Sequence, residues 1–268
     1  MVMRSLLIAF GLSVVAVATI ATYPYVQIAD EKILLTGGEI QFAASQTPNY
    51  AAKWPNTNLV CRFNGSSLPR GNTSRTVVAW IRITDASTWN KVLDYGNEAV
   101  SGNGVGWSFY VRPDSYGQPT LECPNTYSIY GFGTGTVMNG VWHLYGATYD
   151  SSTIRVWLDG TNILTKTGTP LNTSTNDGAG PYFGVLVDGT RRCDMAIDEY
   201  VISDRAWVSN DFLIFLATGR IDKTISPFNS NLVYAWTFDS CASNEASIGS
   251  NTAALGLPAC ITWTNGAR

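Results

Sequence analysis

Carboxylates and aromatic rings are the side chains of this 268-residue chain with the most chemistry to offer. Cleaving a polysaccharide takes two carboxyl groups on either side of one bond, ~5–5.5 Å apart for retention and wider for inversion. On a strand this calls for acids two or four positions apart, because only those share a face. The densest acid run is Asp194-Met195-Ala196-Ile197-Asp198-Glu199. Asp194 and Asp198 have that spacing, but Ala196 stands between them and Glu199 falls on the other face. His143 is the only histidine, set beside Trp142 in an alternating run, and there is no Gly-x-Ser-x-Gly turn to present a serine to it. The expectation is a chain that is not an enzyme, with His143 as a structural residue.

Binding chemistry is better represented. A sugar site in an all-β chain uses an aromatic platform with a few polar partners. Tyr110, Tyr127, Tyr130 and Phe132, in the Gly-rich middle of the chain, are the expected ligand-binding residues. Trp80, Trp142 and Trp236 follow strand alternation and are expected in the core. No cluster of Lys and Arg exists to displace counterions from a phosphate backbone, so nucleic acid is not an expected partner.

The elements that must position these groups are strands. Short alternating runs are separated by Gly, Asn, Ser and Thr, and only 14% of residues are charged. That pattern predicts an all-β antiparallel sandwich. Arg4, then the apolar run from Leu6 to Ala21 with Ala16-Val17-Ala18, reads as a signal peptide or N-terminal anchor over residues 1–21. The run is shorter than the ~20 residues that a membrane span needs. No second run of spanning length follows, so the expected location is secreted or at the cell surface.

Export permits disulfides. Cys241 and Cys260 bracket a polar loop and are expected to pair. Cys61, Cys123 and Cys193 are left open between a second bridge and buried thiols. No Cys-x-x-Cys or Cys/His grouping suggests zinc. Asn64, Asn72 and Asn172 each open an N-glycosylation sequon.

One hairpin organises the chain. Trp142-His143-Leu144-Tyr145-Gly146-Ala147-Thr148-Tyr149-Asp150 and Thr153-Ile154-Arg155-Val156-Trp157-Leu158 read as two strands, the second closing on the turn dipeptide Asp159-Gly160. This stretch resembles the central signature of the laminin G-like, concanavalin A-like jelly rolls. Arg75-Thr76-Val77-Val78-Ala79-Trp80-Ile81, Val92-Leu93-Asp94-Tyr95-Gly96-Asn97 and Ala196-Ile197-Asp198-Glu199-Tyr200 are similar to further strands of that family. Residues 209–219 resemble its short closing helix, with Ser209 as N-cap and Gly219 past the C-terminus.

The resemblance implies an antiparallel jelly roll with one short helix over residues 58–220. Residues 22–57 precede it as a lead-in, with one strand near Glu39–Ala43. Residues 221–268 follow as a hairpin packing on the sandwich, opened by Asn231–Asp239. In relatives the aspartate of the Ile-Asp-Glu strand helps to hold a structural Ca²⁺, which puts Asp198, with Asp239, in that role. Hydrogen bonding to a nearby turn is the alternative for Asp198, and a turn role is the expectation for Asp94 and Asn97. The implied function is non-catalytic binding of a glycan or an extracellular protein. The alternatives are a structural component of an extracellular assembly, in which the chain could form a homo-oligomer, and a hydrolase or lyase of the same fold.

Overall fold

A computed structural model describes residues 25–28, 31–36, 39–42, 50–57, 61–63, 65–84, 90–96, 106–112, 118–123, 127–130, 140–168, 170–175, 181–184, 193–238 and 262–265. The chain divides into two compact units, Met1–Pro48 with Arg268, and Asn49–Ala267. In the first, β1 (Tyr25–Ile28), β2 (Glu31–Thr36) and β3 (Glu39–Phe42) form an antiparallel meander. Sequence reading predicts the last of these strands and misses the two before it.

The second unit holds two antiparallel sheets. The smaller contains β5 (Cys61–Arg62), β7 (Asn90–Gly96), β8 (Gly106–Arg112), β9 (Gln118–Cys123), β10 (Tyr127–Tyr130) and β14 (Tyr182–Gly184), in the order β10-β9-β8-β7-β14-β5. The larger contains β4 (Tyr50–Thr57), β6 (Arg75–Ile83), β11 (Trp142–Tyr149), β12 (Ile154–Leu158), β13 (Thr161–Lys166), β15 (Cys193–Ser203), β16 (Leu232–Trp236) and β17 (Thr262–Asn265). Its order is β13-β12-β11-β6-β15-β4-β17, with β16 also paired to β15.

Period-two alternation decides what each strand buries. Val77, Ala79, Ile81 and Ile83 of β6 enter the core shared with Val92, Leu93, Trp107, Phe109 and Val111 of the smaller sheet. The Phe109 and Tyr145 rings stack across that core at 4.2 Å. The intervening β6 residues, Val78 and Trp80, belong to a second apolar cluster with Leu144, Trp157 and Phe212. The larger sheet is thus buried on both faces, which is why β6 reads as an almost unbroken apolar run.

The cover on the second face is α1 (Ser209–Thr218). Phe212 stacks on Trp157 at 4.6 Å, and Trp207 meets Phe212, Phe215 and Phe228 edge-on. The N-cap is Val208 in extended conformation, one residue before the expected Ser209. Its N–H donates to Asp211 Oδ2 at 2.8 Å, so an acid at N3 reaches back to the N-cap backbone, the part that an acid plays in a capping box. Gly219, at φ 64°, ends the helix as expected.

β15 ties the unit together. It pairs with β6 along one edge, while its other edge is shared: β4 meets Cys193–Ile197 and β16 meets Tyr200–Ser203. The register shifts between Asp198 and Val201, where Glu199 takes φ 48°. Residues 50–57, grouped by sequence with the lead-in, therefore supply a strand of the larger sheet. The two tail strands also join that sheet, β16 on β15 and β17 on β4.

Candidate functional site

Two strands of the smaller sheet place charge where the fold does not require it. On β8, Trp107, Phe109 and Val111 point into the core, so Ser108 and Tyr110 lie on the opposite face. Register sets Lys91 of β7 against Tyr110 and Asp94 against Ser108. On the other side of β7, Tyr182 of β14 is paired with Asp94. Local alternation and two cross-strand registers thus gather residues far apart in sequence.

The side chains form one network. Lys91 Nζ lies 2.7 Å from Asp94 Oδ2, donates to Ser108 Oγ, and stands 4.5 Å from the centre of the Tyr110 ring. Ser108 Oγ and Tyr182 OH donate to the same Asp94 oxygen, at 3.1 and 2.9 Å. All five residues are buried. Removing two ions from water costs several kcal/mol each, and a buried pair often stabilises less than apolar residues of the same volume. Such a pair is better evidence of a site than of stability.

Two core tyrosines hold the strands beneath it. Tyr145 OH donates to Tyr110 O at 3.0 Å and accepts the Thr120 N–H at 2.9 Å. Burial pushes this phenol well above its ordinary range, outweighing the Thr120 hydrogen bond. Tyr200 OH donates to Val92 O at 2.8 Å, inside the irregular stretch of β7 that carries Lys91. Both reach across from the larger sheet.

Of the expected ligand-binding residues, Tyr110 is at this site, fully buried, with its ring facing the ammonium. Tyr127 and Tyr130 lie on β10, next to β9, but their side chains are outside the described residues, as is all of Phe132. Asp94 sits within β7 as an ion-pair partner, not in the turn expected of it. Sequence reading did not select Lys91, Ser108 or Tyr182. The available signal was a Lys and an Asp inside an otherwise apolar strand, Asn90–Gly96.

Asp198 and Glu199 are fully buried at the β15 irregularity. Asp198 Oδ1 accepts the Glu199 N–H at 2.9 Å, and Glu199 Oε2 accepts the Ile221 N–H at 2.8 Å. Each carboxylate thus accepts a different backbone N–H. Among the described residues no three His, Cys, Asp or Glu side chains gather as a metal site. Asp239, Cys241, Cys260 and Asn64 lie outside the described residues.

His143 Nδ1 lies 2.7 Å from Asp159 Oδ2, and Asp159 Oδ1 accepts the Leu144 N–H at 2.9 Å. Asp159 and Gly160 both have positive φ, 49° and 76°, so this pair anchors the tight turn between β12 and β13. Asn72 and Asn172 are exposed, on segments joined by the Gly71–Thr173 bridge. Cys123 is a buried free thiol.

A laminin G family model, described as the concanavalin A-like lectin/glucanases superfamily, matches residues 36–211. No curated protein gives a significant match. The solved structure of a presumed carbohydrate-binding protein from Bacteroides ovatus is similar, with TM-score 0.61 and 15% identity over 88% of this chain and 66% of its own. This chain therefore spans just under two thirds of that protein. A native heptameric SAP-like pentraxin from Limulus polyphemus gives TM-score 0.54 and 13% identity over 81% of this chain and 98% of the other. At these identities the likeness is one of fold.

Proposed function

Since the chain belongs to the concanavalin A-like lectin/glucanases superfamily, we propose that it is an exported, non-catalytic module that binds carbohydrate on the outer face of its smaller sheet. The observation that carries this reading is the Lys91–Asp94–Ser108–Tyr182 network with the Tyr110 ring. It fixes polar atoms behind that face, the kind of partner that saccharide hydroxyls take, while the buried Tyr110 ring serves Lys91. The description of the Bacteroides ovatus protein favours the same ligand class. The non-catalytic part is supported by the engagement of six of the described carboxylates. Asp94, Asp150, Asp159 and Asp211 pair with Lys91, Arg155, His143 and Arg205, and Asp198 and Glu199 accept backbone N–H groups.

A glycan array probed with the purified full chain tests the reading, beside light scattering for size. Binding to a defined sugar class is the expected result. A blank array with a stable oligomer would replace it with a role in an extracellular assembly. Calcium belongs to the same proposal, with Asp198 and Asp239 as the carboxylates that would hold it. A ligand of the native state alone raises the melting temperature, so a chelator should lower it. No shift at millimolar calcium would remove the ion from the proposal.

A further inference from the structure

We infer, resting on the export part of the reading above, that Asn72 and Asn172 are acceptor sites for N-linked oligosaccharide and carry two glycans side by side, next to the paired ends of β6 and β11. Each opens an Asn-Thr-Ser sequon, with Ser74 and Ser174 supplying the hydroxyl. The oligosaccharide is bulky and hydrophilic, is joined to the amide nitrogen, and has to stay in water once the chain has folded. A sequon on a buried strand fails that demand. These two meet it, because both asparagines are exposed.

The local structure is what turns them outward. Asn172 stands between two buried residues, Leu171 and Thr173. The Leu171 N–H donates to Tyr149 OH at 3.0 Å, and Thr173 Oγ1 accepts from Arg75 Nη1 at 2.8 Å. With both neighbours held inward, the residue between them faces solvent. Asn72 lies between Gly71 and Thr73, whose carbonyls both accept from Arg75 Nη2, at 2.8 and 2.9 Å. Asn72 Oδ1 accepts from Tyr149 OH. The oxygen and nitrogen of an amide branch apart from one carbon, so this contact turns the nitrogen away from the tyrosine. Among the described residues, neither asparagine's Nδ2 donates a hydrogen bond, so a glycan there displaces no contact of the fold. Gly71 and Thr173 exchange N–H donors, at 2.9 and 3.2 Å, as an antiparallel bridge. The next positions along that bridge are Asn72 and Asn172, so two sequons one hundred residues apart become neighbours.

The test expresses the full chain, with its own N-terminal segment, in cultured eukaryotic secretory cells and takes protein from the medium. Peptide-N-glycosidase turns each glycosylated asparagine into aspartate, which tandem mass spectrometry locates. Cleavage after Arg70 puts Asn64 and Asn72 on separate tryptic peptides, so each is scored by itself. Conversion at both Asn72 and Asn172 in most exported chains is the expected result. Ser74→Ala and Ser174→Ala, which leave the asparagines and their contacts in place, should each remove one glycan. Exported chain with either asparagine largely unmodified overturns the inference and leaves export intact. Chain retained in the cytosol ends the export reading, and the inference falls with it.

Discussion

Phe212 of α1 occupies the space that a side chain at Gly146 would need. A Cβ on Gly146 would stand 2.6 Å from Phe212 Cε1 and 3.1 Å from Val78 Cβ. Phe212 cannot withdraw easily, because its ring lies between Trp157 and Trp207 at 4.6 and 5.7 Å. Gly146→Ala should therefore destabilise the protein by about 1–3 kcal/mol, the usual cost of overpacking. A melting curve without the corresponding drop would mean that the helix can shift to make room.

Arg75 should matter more than its distance from the charged network suggests. It is fully buried, and its guanidinium donates to Tyr95 OH, Thr173 Oγ1, Gly71 O and Thr73 O. It also lies over the Trp107 and Tyr149 rings at 5.3 and 5.5 Å. A lysine has three donors and no planar fork, so it cannot reproduce this set. Arg75→Lys should cost roughly 2–4 kcal/mol, because several buried acceptors lose their donor. Urea unfolding would measure it, and a cost below about 0.5 kcal/mol would show that water replaces the donors.

Asp150 should hold the turn between β11 and β12. Its Oδ1 accepts the Ser152 and Thr153 N–H groups at 3.2 and 2.8 Å, and its Oδ2 pairs with Arg155 at 2.7 Å. Partial burial raises its pKa, but Arg155 and the turn N–H and O–H groups outweigh this and hold the carboxyl below its usual value. The stability it contributes is present above the unfolded pKa near 4 and is lost as pH falls through the lower folded value. Asp150→Ala should cost about 1 kcal/mol at neutral pH, from the net worth of the lost hydrogen bonds. The gap from wild type should narrow on acidification, and a gap constant down to pH 2 would refute the assignment.

These residues differ in how far the sequence announces them. The Asp159-Gly160 turn and the Gly219 helix end are local: a few adjacent residues dictate positive φ, and the structure has it at each. The β6 and β11 strands are also local, since alternation is written along one segment. The charged network is not local. Lys91, Asp94, Ser108 and Tyr182 meet only through the registers of β7 with β8 and β14, which no single stretch encodes. The same holds for β4, whose partner β15 lies well over a hundred residues away. The Val208 cap was missed because Asp211 acts from inside the helix, whereas Ser209 carries the usual N-cap residue type.

Burial of acids that ionise at high pH should make the fold sensitive to alkali. Desolvation pushes the Cys123 thiol up to about 12, with Arg75 opposing and Glu122 adding to the rise. Burial likewise raises Tyr95, against the pull of Arg75, and raises Tyr145 further. An acid whose folded pKa is raised contributes stability below its unfolded pKa and loses it as pH rises towards the folded value. The unfolded thiol ionises near 8.5, so stability should begin to fall above about pH 8.5, and more steeply above about 10 as the unfolded tyrosines follow. Cys123→Ala should flatten the first part of that fall and leave the second. The same burial predicts that a thiol reagent at pH 8 modifies native Cys123 only at the rate of opening, and promptly in urea. Fast labelling at Cys123 itself in the native protein, located by peptide mass mapping, would place the thiol in contact with solvent, and a Cys123→Ala profile that still falls from pH 8.5 would assign the fall to another group.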